Sequence, residues 1–330
     1  YAYITLGEVF AVIACLCQTL EYGIAGAAVA RSWGEKFVDW VNEGHSQNEQ
    51  GGNHLSPGIQ QFLEPGYGIN PMAAIIVGLC TIILLCGVQE SKLVTNIVAM
   101  AKVSLIIFMI VAGLLLSSDI FPNTVASFSN WKPFVPPEFG GEGILEAASI
   151  LLFAYLGFDC ICNRSGEAKD AVRDVPKAII YTVAIDGILY TLAALTLTAM
   201  LPYTEISDVS GFPRAFGANG WIWAEKLTAI GEIVVLPLVV LTSILSQTRL
   251  FFALSQDNLL PSLFSKISFS TPLASSCCGR KQSDEKIGNL TASLSVCGLV
   301  MLLLALFVPF DYLDELVSAG ALLLFSLTDW

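Results

Sequence analysis

Long apolar runs recur along the whole chain, separated by polar segments that contain glycine and proline. A hydrocarbon core of about 30 Å requires roughly 20 apolar residues in each helix that crosses it. The runs are too long for β-strands and lack strict alternation of apolar and polar residues. They predict an all-α integral membrane protein with about eight spans, near Ile4–Ala30, Pro71–Val88, Leu93–Leu116, Ile144–Cys162, Ala178–Leu201, Ile222–Gln247, Leu290–Phe310 and Leu316–Trp330.

The polar segments predict the loops and the orientation of this bundle. We expect a single transmembrane domain over 1–330, with long loops at 31–70 and 249–288. Ten of the sixteen basic residues lie on one set of alternating loops and five on the other, while Lys102 lies inside a span. Because cytoplasmic loops carry an excess of lysine and arginine, 249–288 is predicted to be cytoplasmic and 31–70 extracellular.

Composition supports a membrane location and argues against several functions. Only 13% of the residues are charged and 55% are hydrophobic, whereas a soluble domain carries about 25% charged residues. The net charge of −12 would repel nucleic acid, so the expected partners are membrane lipid and a small substrate. The sequence contains no GxxxxGK[ST] and no HExxH motif, and most of its cysteines lie in apolar runs away from histidine. We therefore expect no enzymatic activity, no cofactor and no metal.

Five ionisable residues lie inside the predicted spans: Glu21, Lys102, Asp159, Asp186 and Glu232. Such residues cost at least about 2.5–3.5 kcal/mol each at mid-depth, so they favour a bundle interior or a polar cavity. Glu21 either pairs with a polar group of a neighbouring helix or is a cavity carboxylate that meets a cationic side chain or a proton. Lys102 either extends to the inner interface or is a buried lysine that carries a transported proton. Asp186 and Glu232 receive no role.

The fourth predicted span has the most informative sequence. Gly157 and Asp159 interrupt a short apolar run, and Asn163 follows. Transporters often place broken helices at the membrane midplane, where unwound carbonyl groups bind cations such as a substrate ammonium. A buried glycine alone is also compatible with close helix packing. The combination of glycine, aspartate and asparagine in one short span favours a broken helix.

The same span carries a resemblance to a known family. The stretch 153–159 reads FAYLGFD, and EAK at 167–169 and RDVP at 173–176 follow it. Together these segments resemble the sixth transmembrane helix and following loop of the cationic amino acid transporter group, in the amino acid–polyamine–organocation superfamily. Further matches occur in the same order along nearly the whole chain: YITLGE at 3–8, LEY at 20–22, LPY at 201–203, RLFFAL at 249–254 and DNLLP at 257–261.

The resemblance implies a LeuT-like fold of ten core helices in two inverted repeats. This chain is then expected to correspond to helices 3–10, lacking the first two and truncated in the last. The implied function is secondary active transport of an amino acid, cationic or broad in range, by alternating access and driven by a proton gradient. The resemblance does not distinguish the plasma membrane from a vacuolar or other internal membrane.

The resemblance also assigns roles to individual residues. The main-chain carbonyls of Phe153, Ala154 and Leu156 would bind the substrate's α-ammonium group, Gly157 would break the helix, and Phe153 would close over the ligand. Glu21 matches a third-helix glutamate that favours cationic side chains. Lys102 matches a lysine that, in proton-coupled members, stands where sodium-coupled relatives hold their ion. The family commonly has small hydroxyl residues in the eighth helix, where this chain has Pro237-Leu238.

Two other functions remain open from the sequence. A channel or receptor is one, although no ring of pore-lining polar residues recurs. The second is a transport-inactive product that acts as an amino-acid sensor or an assembly partner.

Overall fold

The computed structural model describes residues 7–46, 62–63, 68–86, 92–118, 124–133, 136–158, 160–163, 168, 170–257, 259–261, 264 and 291–328. These residues form helices α1 (Glu8–Ser46), α2 (Pro71–Leu85), α3 (Lys92–Ser117), α4 (Gly140–Tyr155), α5 (Cys160–Asn163), α6 (Ala171–Met200), α7 (Gly211–Ala218), α8 (Ile222–Gln256), α9 (Thr291–Phe307) and α10 (Phe310–Thr328). Short 3₁₀ turns occupy Phe128–Trp131 and Tyr203–Glu205. No strand occurs in this part of the chain, and the predicted all-α class is confirmed.

Several helices are long and apolar enough to cross a membrane. Among the described residues they are Glu8–Asn42, Asn96–Ser117, Ala171–Met200 and Ile222–Gln256, with shorter apolar helices at Pro71–Leu85 and Ala292–Phe307. The sequence explains where α2 begins, since Asn70 caps it by accepting a hydrogen bond from the Ala73 N–H at 3.1 Å and Pro71 occupies the first turn.

Two helices extend into the predicted loops. α1 continues to Ser46, beyond the predicted end of its span at Ala30, because residues of 31–38 continue its buried face; Trp33 and Val38 are both buried. α8 continues to Gln256, where the hydroxyl of Ser255 donates to the Pro261 carbonyl at 2.9 Å. The predicted loops that start at residues 31 and 249 are therefore corrected: their first residues are helical. Most of 249–288 and part of 31–70 lie outside the described residues.

The chain forms two compact units, and the boundaries between them fall within α3 and α8. Unit 1 contains residues 1–95 and 236–330. In unit 1, α1 packs against α2, α9 and α10. Small residues permit this close packing: Ala27, Ala28 and Ala30 are fully buried, and a Cβ on Gly26 would come within 2.9 Å of the Ser243 and Met301 side chains.

A buried arginine joins three segments of unit 1. Arg31 donates to the Gly68 carbonyl at 2.6 Å and to the carbonyls of Ala305 and Leu306 at 3.4 Å. These last two groups lie in the final turn of α9, where carbonyls lack helical partners. Arg31 also pairs with Glu35 at 3.0 Å. The arginine thus satisfies the carbonyls of Gly68 and Ala305, whereas the Leu306 carbonyl also accepts from the Asn70 N–H at 3.0 Å.

We expect Arg31→Met to destabilise the protein by about 3 kcal/mol, because hydrogen bonds from a charged group contribute about 1.5–3 kcal/mol and the carbonyls of Gly68 and Ala305 lose this donor. The measurement is thermal unfolding of the purified protein in detergent. Glu35→Gln is the matched control, since the Glu35 side chain is 35% exposed and a pair at such a site contributes little. Equal losses in the two variants would show that the ion pair, rather than the carbonyl contacts, stabilises unit 1.

Unit 2 contains residues 96–235 and has its own apolar core. The core joins the last turns of α3 and α6 to α7 and α8, through Met109, Ala112, Leu116, Ala126, Met200, Leu201, Ala215, Phe216 and Ala224. Asn219 fixes this end of the unit: its Nδ2 donates to the carbonyls of Met200 and Ala215 at 3.2 and 2.9 Å, and its Oδ1 accepts from the Ala126 N–H at 2.9 Å.

Candidate functional site

The helix break predicted from the sequence is present in unit 2. α4 ends at Tyr155, and Leu156 adopts an extended conformation with φ −65° and ψ 146°. Gly157 follows with φ +108°, and α5 begins at Cys160. Residues other than glycine rarely adopt a positive φ, so Gly157 permits the backbone to leave the helical conformation here. Asp159, the other residue expected to interrupt the span, lies outside the described residues.

Two of the three predicted carbonyl groups accept no hydrogen bond from the described residues at the break. The Phe153 carbonyl accepts from the Leu156 N–H at 3.2 Å, and the Phe158 carbonyl accepts from the Ile161 N–H at 3.2 Å. No hydrogen bond between described residues reaches the carbonyl oxygens of Ala154 and Leu156. These oxygens lie at the C-terminal end of α4, where the helix dipole adds a partial negative charge. The arrangement can bind a cation or a hydrogen-bond donor.

Helix α6 supports the break from one side. The rings of Tyr155 and Tyr190 meet edge to face, with centroids 5.7 Å apart and an interplanar angle of 86°. A Cβ on Gly187 would lie 3.6 Å from the Tyr155 hydroxyl oxygen. The last residue of α4 therefore rests on one face of α6. We did not predict this support from the sequence, although Gly187 and Tyr190 stand one helical turn apart.

The predicted binding residues differ in exposure. Ala154 and Gly157 are exposed, whereas Phe153 and Leu156 are partly buried. A Cβ on Gly157 would meet no heavy atom within 4 Å. The requirement for glycine at this position is therefore conformational and not steric.

Glu21 is placed in unit 1, on α1. Its side chain is only 2% exposed, and its Oε2 accepts from the Gln18 Nε2 at 3.3 Å. Cys17, one turn earlier, belongs to a small apolar cluster with Leu324 of α10. The structure thus confirms that this carboxylate is buried among helices. The other predicted binding residues belong to unit 2.

The remaining predicted residues lie on long helices of unit 2. Lys102 is on α3 and is exposed, while Asp186 on α6 and Glu232 on α8 are partly buried. On α6, Tyr190 lies one helical turn after Asp186, so both residues lie on one side of this helix.

Comparisons with known proteins point to transport. The sequence profile of a family described as "Amino acid permease" matches residues 1–328. The chain is 31% identical over 332 residues to "Cationic amino acid transporter 4, vacuolar" from Arabidopsis thaliana, covering 99% of this chain and 50% of that protein. It is 34% identical over 276 residues to the "Methylthioribose transporter" of Bacillus subtilis (strain 168), covering 82% of this chain and 56% of that protein.

A third relative is the "Branched-chain amino acid permease BcaP" of the same bacterium, 29% identical over 334 residues, which cover 99% of this chain and 64% of that protein. The chain therefore spans about half the length of the first two relatives. All three relatives are named as transporters or permeases, and none is named as an enzyme.

Proposed function

The chain belongs to the amino acid permease family, and on this premise we propose that the whole protein is a secondary active transporter of amino acids. We propose further that its substrates include cationic amino acids, that a proton gradient drives uptake, and that transport proceeds by alternating access. The match to a cationic amino acid transporter along 99% of the chain supports the substrate class.

The broken helix is the observation that carries the proposal. The carbonyl oxygens of Ala154 and Leu156 accept no hydrogen bond from the described residues, and they lie at the negative end of α4. An α-ammonium group has three N–H donors and a full positive charge, so it complements these oxygens. Discontinuous helices serve this purpose in transporters, where the unwound chain is tolerated because it lines a cavity.

Transport of this kind requires no covalent chemistry. The substrate's ammonium would bind the break while Phe153 covers it, and the two sides of the membrane would gain access in turn. From the resemblance alone, we propose separately that Glu21 favours substrates with a positively charged side chain. Because the carboxylate is 2% exposed, little water competes with its attraction for such a charge.

The test is uptake of labelled arginine, lysine, leucine and methylthioribose by the full-length protein in liposomes, with and without an inward proton gradient. We expect the gradient to stimulate arginine and lysine uptake. Glu21→Gln should lower arginine uptake by about tenfold to a hundredfold, since about 1.5–3 kcal/mol is lost with a charged hydrogen bond. Leucine uptake should remain.

Glu8→Gln is the matched control, because Glu8 lies on the same helix but is exposed. Equal losses of arginine and leucine uptake in Glu21→Gln would contradict the selectivity role. Exclusive uptake of methylthioribose would replace the proposed substrate class. Substrate binding without any flux would favour the sensor alternative over a transporter.

A further inference from the structure

Helix α6 packs against the chain on both sides of the helix break. Within unit 2 it contacts α4, which ends at Tyr155 before the break, and α5, which begins at Cys160 after it. The two helices therefore share one neighbour. Because the backbone leaves the helical conformation at Leu156, helical hydrogen bonds alone do not fix its position there, and contacts with α6 contribute.

The C-terminal part of α6 is held in place independently of α4. The Trp131 Nε1 donates a hydrogen bond to the Leu195 carbonyl at 3.0 Å, and the Asn130 Nδ2 donates one to the Ala199 carbonyl at 3.0 Å. Both donors belong to one 3₁₀ turn. Tyr190 precedes Leu195 by about one and a half helical turns. It thus lies on a segment of α6 whose position is set by another part of unit 2.

Tyr190 contacts the last residue of α4 directly. Its ring meets the ring of Tyr155 edge to face, with centroids 5.7 Å apart and an interplanar angle of 86°, a favoured arrangement of aromatic pairs. Gly187, one turn earlier on α6, has no side chain, and a Cβ there would lie 3.6 Å from the Tyr155 hydroxyl oxygen. Tyr155 stands between Ala154 and Leu156 in the chain. The contact therefore restrains the residue between the two carbonyl groups that are proposed to bind the substrate.

Other residues of the break are accessible. Ala154 and Gly157 are exposed, and a Cβ on Gly157 would meet no heavy atom of the described chain within 4 Å. The break thus combines a residue that is packed on α6 with residues that a ligand can reach. A site built from backbone oxygens needs both features, since its atoms must be held within about 0.5 Å of the productive geometry.

We propose that Tyr190 is a positioning residue for substrate binding: its ring holds Tyr155, and thereby the carbonyl oxygens of Ala154 and Leu156, where they bind the α-ammonium group. This inference rests on the proposed function, in which these oxygens receive the substrate. Tyr190 acts through Tyr155 and does not touch the substrate. Every α-amino acid carries the same ammonium group, so the effect of Tyr190 is independent of the substrate's side chain.

The experiment measures the concentrations of arginine and of leucine that give half-maximal uptake by the full-length protein in liposomes. Tyr190→Leu removes the ring contact, and we expect both concentrations to rise by the same factor, about threefold to tenfold, since an aromatic pair contributes on this scale. The maximal rate per folded protein should change less than the half-maximal concentration. Tyr190→Phe keeps the ring and should restore most of the affinity.

A double-variant comparison tests whether Tyr190 acts through Tyr155. Tyr155→Leu alone should raise the half-maximal concentrations at least as much as Tyr190→Leu. The combination of both should equal Tyr155→Leu alone, because the two rings form one contact. Tyr181→Leu is the matched control: it makes the same substitution on α6 at a tyrosine that is 64% exposed, and both concentrations should stay at the wild-type values.

Unchanged half-maximal concentrations in Tyr190→Leu would overturn the positioning role, while arginine uptake by the wild-type protein would leave the proposed function standing. A rise for arginine alone would also overturn the role, because the ammonium is common to both substrates. Equal losses in Tyr190→Phe and Tyr190→Leu, an equal loss in Tyr181→Leu, or additive losses in the double variant would do the same. Absence of uptake by the wild-type protein would instead contradict the proposed function. Thermal unfolding of each variant in detergent separates a change in affinity from loss of fold.

Discussion

A Gly157→Leu variant of the full-length protein should lose uptake of labelled arginine to the level of empty liposomes. Gly157 has φ +108°, which a leucine rarely adopts. The backbone of the variant is expected to return to a helical conformation, in which N–H groups of the following turn occupy the carbonyls of Ala154 and Leu156. The binding oxygens would then be lost, although the protein would still insert into the membrane.

Two glycines at the other end of α4 provide matched controls. Gly140 has φ +55°, Gly141 has no positive φ, and a Cβ on either would meet no heavy atom within 4 Å. Gly140→Leu should lower thermal stability through backbone strain, by roughly 1–3 kcal/mol, yet the folded protein should transport. Gly141→Leu should resemble wild type in both measurements. Normal uptake by Gly157→Leu, or equal loss in Gly140→Leu, would show that the substrate does not bind at the break.

Most helices could be predicted because each helix that spans a membrane needs a run of about 20 apolar residues. Runs of apolar residues gave both ends of α3 within one residue and the start of α2 at Pro71, whereas α2 ends at Leu85 and its predicted end at Val88 lies outside the described residues. The length of an apolar run did not predict the end of a helix that continues beyond the run. Residues 31–46 of α1 mix charged residues with aromatic and aliphatic ones, and the hydrogen bonds of Arg31 to Gly68, Ala305 and Leu306 tie their first turn to other segments. Such hydrogen bonds depend on partners far away in the chain.

The break could be predicted, but its hydrogen bonding could not. Gly157 marked the position, since glycine near the middle of a short span is a recognisable signal. Which carbonyls remain available depends on the dihedral angles, and these place the Leu156 N–H on the Phe153 carbonyl. The contact between Tyr155 and Tyr190 similarly requires the register of α4 against α6. That register is set by side-chain packing and leaves no local pattern in the sequence.

A Lys102→Ala variant should lose its dependence on a proton gradient, while it still exchanges labelled arginine across the membrane. Lys102 is the ionisable residue of α3 within the span, and its removal leaves no group at that depth of α3 to carry a proton. The measurement is arginine uptake into liposomes with and without an inward proton gradient, beside arginine exchange at equal pH. We expect the stimulation by the gradient to disappear and the exchange to persist within about a factor of three. Lys177→Ala is the control, because this lysine is exposed near the start of α6 and should leave the stimulation intact. Uptake that keeps its full response to the gradient in Lys102→Ala would exclude this lysine from coupling, and the proton would then have to travel on a group outside α3.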